Sequence, residues 1–168
     1  LQYMLWTTYI KGFKAWLQLE KSLSEHSVAP YLHDVELLAQ YILLSEKKFS
    51  PADIQLTDLQ QFIQWLSKLG LSATSQARII SGIRGFFKYC LTEQLVTTDP
   101  AALLESPKIP RHLPDTLSVT EIEMMLEGID VSNPEGVRNK AMLETLYSCG
   151  LRVSELIHLH LSDYFPGD

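Results

Sequence analysis

The chain has 168 residues, of which 46% are hydrophobic and 20% are charged, with 8 Gly and 8 Pro. These proportions are typical of a folded globular protein and exclude a disordered or low-complexity chain. The length allows one domain or two small ones and excludes a large multidomain enzyme. The formal net charge of −6 argues, taken alone, against a protein that binds nucleic acid.

The apolar runs are too short for a membrane span. None exceeds five residues, whereas a helix that crosses a bilayer needs about 20. The first residues also lack the basic region and long apolar run of a secretory signal. Cys90 and Cys149 lie in apolar patterns without CxxC spacing, so we expect two reduced, buried thiols and a cytoplasmic protein.

Apolar residues at helical spacing predict two helices near the N-terminus. A stripe that contains Trp6 and Phe13 predicts a first helix from about residue 5 to about residue 23. Pro30 suits the first turn of a second helix, because a proline needs no amide partner there. The pattern of this second helix ends before Ser50.

Capping signals predict the next two helices. Thr57 and Gln60 have the spacing of a capping box, which predicts the start of a third helix. Gly70 is expected to close that helix. Ser72 is expected to cap a fourth and longest helix, which runs to about Glu93.

A proline-rich segment predicts a domain boundary. Three prolines lie within residues 106–115, so this segment cannot form a helix or a central strand and should run as a stiff, extended connection. A short turn or helix is expected just before it, over about 99–105. We therefore expect a helical domain over 1–105, a linker over 106–116 and part of a second domain over 117–168.

The residues after the linker predict further helices. Ser118 and Glu121 form a second capping box, which opens a short helix. Asn133 opens another helix that ends at Gly150, and residues 153–159 have helical spacing again. The sequence shows no βαβ alternation and no hairpin signal, so the part of the fold that is present is expected to be all-α.

The fourth predicted helix carries an unusual face. Its large apolar side chains fall in one arc, and the opposite arc holds small residues, hydroxyls and one central arginine. The members of this arc are Thr74, Ser75, Arg78, Ser81, Gly82 and Gly85, with Arg84 and Lys88 along one margin.

Two glycines in a helix cost about 1 kcal/mol each relative to alanine, and the close approach of another surface would offset that cost. A DNA groove is one such surface, because hydroxyls and arginines suit phosphate oxygens and base edges. A second helix packed on the small residues is the alternative. The charge distribution favours DNA, since residues 68–111 carry +3 whereas 1–67 carry −2 and 112–168 carry −7.

Residues 149–156, Cys-Gly-Leu-Arg-Val-Ser-Glu-Leu, resemble the GLRxSEL box of the tyrosine recombinases. Residues 138–147 are similar to that family's helix leading into the box, residues 106–114 to its interdomain linker, and residues 74–88 to its core-binding helix. The resemblance extends over essentially the whole chain in the family's order. It is closest to the Xer type, whose members resolve chromosome dimers.

The resemblance implies a fold, an activity and partners. The fold is a SAM-like helical core-binding domain of about four to five helices, followed by the first helices of a mixed α/β catalytic domain. The family clamps double-stranded DNA between its two domains and rejoins strands through a phosphotyrosine intermediate, without a metal or other cofactor. The full-length enzymes act as tetramers of identical or paralogous subunits.

The resemblance also implies site residues. Arg152 matches the first catalytic arginine, whose forked donors suit the scissile phosphate. Glu155 is expected to orient this turn, and an ordinary acidic residue at a helix start is the equal alternative. No metal ligands are expected, since His158 and His160 point to different sides of a helix. The residues expected to contact DNA are Thr74, Ser75, Arg78, Arg84, Lys88, Lys108 and Arg111.

Several of the family's catalytic elements have no counterpart in this sequence: the lysine hairpin, the HxxR box, the later His or Trp, and the nucleophilic tyrosine. We therefore expect the chain to bind DNA but not to recombine it alone. Two other interpretations remain open. In the first, the chain is a non-catalytic DNA-binding regulator. In the second, it is a helical adaptor that uses the small-residue face against another helix.

Overall fold

The computed structural model describes residues 2–45, 49–109 and 113–163. Over these ranges the chain forms seven α-helices, two 3-10 turns and no strand. It divides into two compact units, Leu1–Arg111 and His112–Asp168. The expectation of an all-α fold is therefore confirmed for the described residues.

The first unit is a four-helix domain with an aromatic core. Its central helix, α4 (Ala73–Thr92), packs against the other three. Trp6 stacks on Phe86 at a centroid distance of 6.2 Å, and Phe13 meets Phe86 edge-on at 5.4 Å. The elements are α1 (Gln2–Leu19), α2 (Glu25–Leu44), a 3-10 turn (Pro51–Asp53), α3 (Leu56–Lys68) and α4 (Ala73–Thr92).

The second unit holds three helices and little buried surface. Of its described residues, Gly136 alone is buried, and the apolar side chains of its helices are half-buried or exposed. The elements are α5 (Val119–Glu127), α6 (Pro134–Cys149), α7 (Val153–Ile157) and a 3-10 turn (Leu161–Asp163). None of the helices over the described ranges is long and apolar enough to span a membrane.

Local capping signals were good predictors of several helix ends. Ser72 caps α4 by accepting a hydrogen bond from the Ser75 amide at 3.2 Å. Asn133 caps α6 in the same way, at 2.8 Å from the Gly136 amide. Gly150 ends α6 in the left-handed conformation, with φ +63°, which is favourable for glycine.

Other expected boundaries were wrong. The second helix begins at Glu25 rather than near Pro30, which lies exposed inside it. Leu23 and Val28 flank the Ser24 cap at the spacing of a hydrophobic staple, and both pack against the core. This packing outweighs the amide hydrogen bond that Pro30 lacks.

The start of the third helix also differs from expectation. Gln55 rather than Thr57 precedes the first turn of α3, and the Asp58 carboxylate accepts the Gln55 amide at 3.1 Å. The segment around Asp99 forms the expected short turn, with the Asp99 carboxylate accepting the Ala101 amide at 2.8 Å. Of the two thiols, Cys90 is buried as expected, but Cys149 is exposed.

Candidate functional site

The unusual face of α4 is divided between solvent and α2. Gly82 is buried and Gly85 is half-buried. A Cβ atom at Gly82 would lie 2.9 Å from the Cβ of Asp34, and one at Gly85 would lie 3.4 Å from Cε1 of Tyr31. At Gly82 the close approach that offsets the cost of the glycine is therefore that of α2, as in the helix-packing alternative, whereas the contact at Gly85 is an ordinary van der Waals contact.

The polar members of the face remain at the surface. Ser75 is half-buried and hydrogen-bonded to the Ser72 hydroxyl at 3.0 Å. The hydroxyl and cationic side chains of this face that are exposed can be reached by a ligand without any change in the packing of α4. The exposed members are Thr74, Arg78, Ser81, Arg84 and Lys88.

Arg78 forms a bidentate ion pair with a buried carboxylate. Its Nη2 donates to Oδ1 of Asp34 at 2.7 Å, and its Nη1 donates to Oδ2 at 3.1 Å. The side chain of Asp34 is 2% exposed, whereas that of Arg78 is 50% exposed. Burial raises the pKa of Asp34, and the hydrogen bonds and charge of Arg78 oppose that increase.

Asp34 is a residue that the sequence analysis missed. Its neighbour Val35 is fully buried, as is Leu38 one turn further along α2. A carboxylate on the buried side of a helix is uncommon unless it is paired. The sequence signal that could have identified Asp34 is therefore a lone aspartate within an apolar helical stripe.

The ion pair lies in an open groove between α2 and α4. The groove has a volume of about 280 Å³. It presents the Arg78 guanidinium and the hydroxyls of two serines, which suit an anionic oxygen, together with the Asp34 carboxylate that is paired with Arg78. The groove is lined by Ser27, Pro30, Tyr31, Asp34, Arg78, Ser81 and Gly82.

The other candidate DNA-binding residues are more dispersed. Arg84 donates from Nη2 to the backbone carbonyl of Leu104, so it also holds the segment after α4. Lys88 lies one turn further along α4, and Lys108 is exposed in the extended segment. Arg111 lies outside the described residues.

Arg152 stands between two helices of the second unit. It is the N-cap of α7, and its side chain is 82% exposed. Its backbone amide donates to Oε2 of Glu155 at 2.7 Å, and its Nη1 donates to Oε1 at 2.9 Å. Glu155 therefore caps the helix start and also holds the arginine, so its two expected roles are compatible.

The described ranges contain no group of three or more His, Cys, Asp and Glu side chains arranged to hold a metal ion. His158 contacts the Ser154 carbonyl through Nδ1 at 2.7 Å. The two candidate sites offer guanidinium, ammonium and hydroxyl donors, which suit phosphate oxygens.

Comparison with solved structures and curated proteins gives relatives of about twice this length. XerD tyrosine recombinases from Proteus mirabilis and Yersinia pestis are 40% and 41% identical to it over 154 residues. Each match covers 92% of this chain but 49% and 51% of the relative. The XerA recombinase crystal structure matches 95% of this chain and 52% of its own, with 25% identity and a TM-score of 0.49.

Two family models match consecutive parts of the chain. The phage integrase N-terminal SAM-like domain matches residues 10–94, which is half of the chain. The phage integrase family model matches residues 115–165. The resemblance noted in the sequence is confirmed, and the chain belongs to the phage integrase family of tyrosine recombinases.

Proposed function

We propose that this chain is the DNA-binding portion of a site-specific tyrosine recombinase, which cuts and rejoins DNA through a phosphotyrosine intermediate. The match of both family models, in order along the chain, carries the proposal. The cellular process is chromosome dimer resolution or DNA integration. The proposed boundaries are a core-binding domain over 1–105, a linker over 106–116 and the start of the catalytic domain over 117–168.

The proposed DNA contact is made by α4 and the segment that follows it. Thr74, Ser75 and Arg78 lie in the first two turns of α4, and Lys88 lies further along. The positive net charge of residues 68–111 supports phosphate binding despite the acidic chain as a whole. Hydroxyls and guanidinium groups at these positions would fix the protein on the backbone of the duplex.

Arg152 is the proposed first catalytic arginine. Glu155 occupies one of its Nη groups, which leaves its Nε–H and further N–H groups for a phosphate oxygen. A guanidinium in this position would stabilise the charge that develops on the scissile phosphate. We also propose that the chain alone forms no covalent link to DNA, since none of its tyrosines has the sequence context of the family's nucleophile.

The proposal extends to partners and cellular location. The direct partner is double-stranded DNA. The full-length protein would act as a tetramer with itself or with a paralogous recombinase, in the cytoplasm, and would need no cofactor.

The two other interpretations differ in how they relate to this DNA contact. A non-catalytic regulator would share the DNA contact. The helical adaptor interpretation is weaker, because α2 of the same chain already covers Gly82 and Gly85.

The first test is DNA binding by the 168-residue chain in a salt series. The chain is first titrated with a labelled random-sequence duplex between about 50 and about 200 mM salt. A duplex selected from that random pool and a scrambled version of it are then titrated over the same salt range. We expect affinity to fall steeply with salt and to favour the selected duplex. Each phosphate contact contributes about −0.9 to the slope of log affinity against log salt.

Two lysine variants provide a matched comparison. Lys88→Gln removes a charge from the proposed face, and Lys14→Gln removes the same charge from the exposed surface of α1, outside residues 68–111. We expect the first variant to make the salt slope shallower by about 1 and the second to leave it unchanged. Binding that ignores salt, or equal effects of the two variants, would contradict the proposed DNA face.

A further inference from the structure

We propose that Asp34 is a positioning residue, whose buried carboxylate fixes the Arg78 guanidinium in the groove between α2 and α4 for contact with a DNA phosphate. The inference rests on the proposed function, because it concerns how the same face binds DNA. It adds a residue of α2 to a contact that the sequence analysis attributes to α4 and to the segment after it.

The geometry of the pair fixes the plane of the guanidinium. Two parallel hydrogen bonds, at 2.7 Å and 3.1 Å, join the two Nη atoms of Arg78 to the two carboxylate oxygens of Asp34. A single hydrogen bond would leave the guanidinium free to rotate, whereas this fork does not. Of its five N–H groups, three remain for another acceptor: the one on Nε and one on each Nη.

The surrounding structure accommodates the carboxylate at a cost. A buried, ionised carboxylate is unfavourable unless it is paired, and an apolar residue of similar size is often at least as stable. α4 leaves space for this carboxylate at Gly82, where any Cβ atom would collide with the Asp34 side chain. Gly82 lies one helical turn after Arg78, so the same face of α4 supplies both the space and the partner.

The half-exposed state of Arg78 is consistent with a role beyond this pair. The Asp34 side chain is 2% exposed, whereas half of the Arg78 side chain is exposed, and Arg78 lines the groove. Ser81 and Ser27 line the same groove and add hydroxyl donors to it. An anionic oxygen in the groove would therefore meet an oriented donor group.

The sign of one charge change distinguishes positioning from simple electrostatics. Asp34→Asn removes a negative charge next to the proposed DNA face, and on coulombic grounds alone it should strengthen DNA binding. If the carboxylate holds Arg78 in place, the same change should weaken binding, because the guanidinium is no longer oriented.

The experiment measures binding of a labelled random-sequence duplex by the 168-residue chain across a salt series. The variants are Asp34→Asn, Arg78→Ala, the double variant, and the control Glu36→Gln, which removes an exposed carboxylate from the same helix. We expect Asp34→Asn to weaken binding about three- to tenfold and to make the salt slope shallower by about 0.9. Glu36→Gln should leave the slope unchanged and bind at least as tightly as wild type.

The double variant tests whether the two residues act together. We expect it to bind no more weakly than Arg78→Ala alone, since residues that act through one contact are not additive. Circular dichroism gives the folded fraction of each variant. Arg78→Lys serves as a second probe if Asp34→Asn does not fold, because lysine keeps the charge but cannot form the fork.

Each outcome has a distinct meaning. Asp34→Asn or Arg78→Lys with wild-type or tighter binding and an unchanged slope would overturn the positioning role while leaving the proposed function intact. If Arg78→Ala binds DNA with the same affinity as the wild-type chain, the positioning role is also overturned. A wild-type chain that shows no salt-dependent DNA binding would overturn the proposed function and this inference together.

Discussion

Gly82 and Gly85 lie on the same side of α4, but α2 leaves them different amounts of space. At Gly82 a Cβ atom would come within 2.9 Å of both Cβ and Cγ of Asp34. That side chain is buried and held by Arg78, so it cannot move aside freely. At Gly85 the nearest atom is Cε1 of Tyr31 at 3.4 Å, which is an ordinary van der Waals contact.

Alanine substitution should therefore have opposite effects at the two glycines. In a helix interior, alanine is favoured over glycine by about 1 kcal/mol. We expect Gly85→Ala to be neutral or to raise the free energy of unfolding by up to about that amount. Gly82→Ala should lower it by about 1 to 3 kcal/mol because of overpacking. Urea unfolding of both variants measures the difference, and midpoints that shift in the same direction would contradict it.

The sequence could predict Arg78 as an exposed residue but not its partner. A helical wheel compares residues within one helix, and Asp34 lies 44 residues away along the chain. For the same reason the wheel predicts a close surface at Gly82 and Gly85 but does not distinguish a DNA groove from another helix. In contrast, Glu155 lies three residues from Arg152, and that short-range contact was within reach of sequence motifs.

At the scale of the elements, helix ends set by local hydrogen bonds were predictable. Ser118 accepts the Glu121 amide, and the Glu121 carboxylate accepts the Ser118 amide at 2.7 Å and hydroxyl at 2.8 Å, as expected of a capping box. The start of α2 was not predictable from Pro30, because packing of Leu23 and Val28 on the core sets it. Local capping signals decide where a helix ends only where the packing of apolar side chains on the core does not favour a different end.

Removal of the Ser118 hydroxyl should change the titration of Glu121. Hydrogen bonds from the backbone amide and then the hydroxyl of Ser118 hold the pKa of Glu121 below its usual value. Its ionised form therefore stabilises α5 above about pH 4.3, the ordinary glutamate value, and this contribution is lost as pH falls through the lowered pKa. We expect Ser118→Ala to raise the pKa of Glu121 towards the ordinary value.

Carboxyl carbon chemical shifts, followed by NMR across acid pH, measure that pKa directly. Thr120→Ala is the matched control, since it removes a hydroxyl from the same first turn of α5 without touching the cap. The pKa of Glu121 should be the same in this control as in the wild-type chain. An equal pKa in Ser118→Ala would show that the hydroxyl does not contribute.

At the scale of the whole molecule, the two units differ in how much they bury. All the apolar side chains that the structure shows as fully buried lie between Trp6 and Leu104, in the first unit. Cys149 lies in an apolar pattern at the end of α6, yet it is exposed. An apolar stripe in a sequence indicates which face of a helix is apolar, but not how far another element covers it.

The two cysteines report on the two units separately. Cys90 lies in the core of the first unit, and burial raises the pKa of its thiol to about 12. The thiolate is the form that reacts with alkylating agents, so Cys90 is protected both by inaccessibility and by protonation. Cys149 is exposed at the end of α6 in the second unit.

We expect iodoacetamide at about pH 8 to modify Cys149 in the native chain while Cys90 stays unmodified until the first unit opens. Peptide mass spectrometry over a time course measures both rates. A Cys149→Ser variant isolates Cys90, whose labelling should accelerate with urea in parallel with the loss of helical circular dichroism. If Cys90 reacts in native buffer as fast as Cys149, the aromatic core around α4 opens far more readily than its complete burial implies.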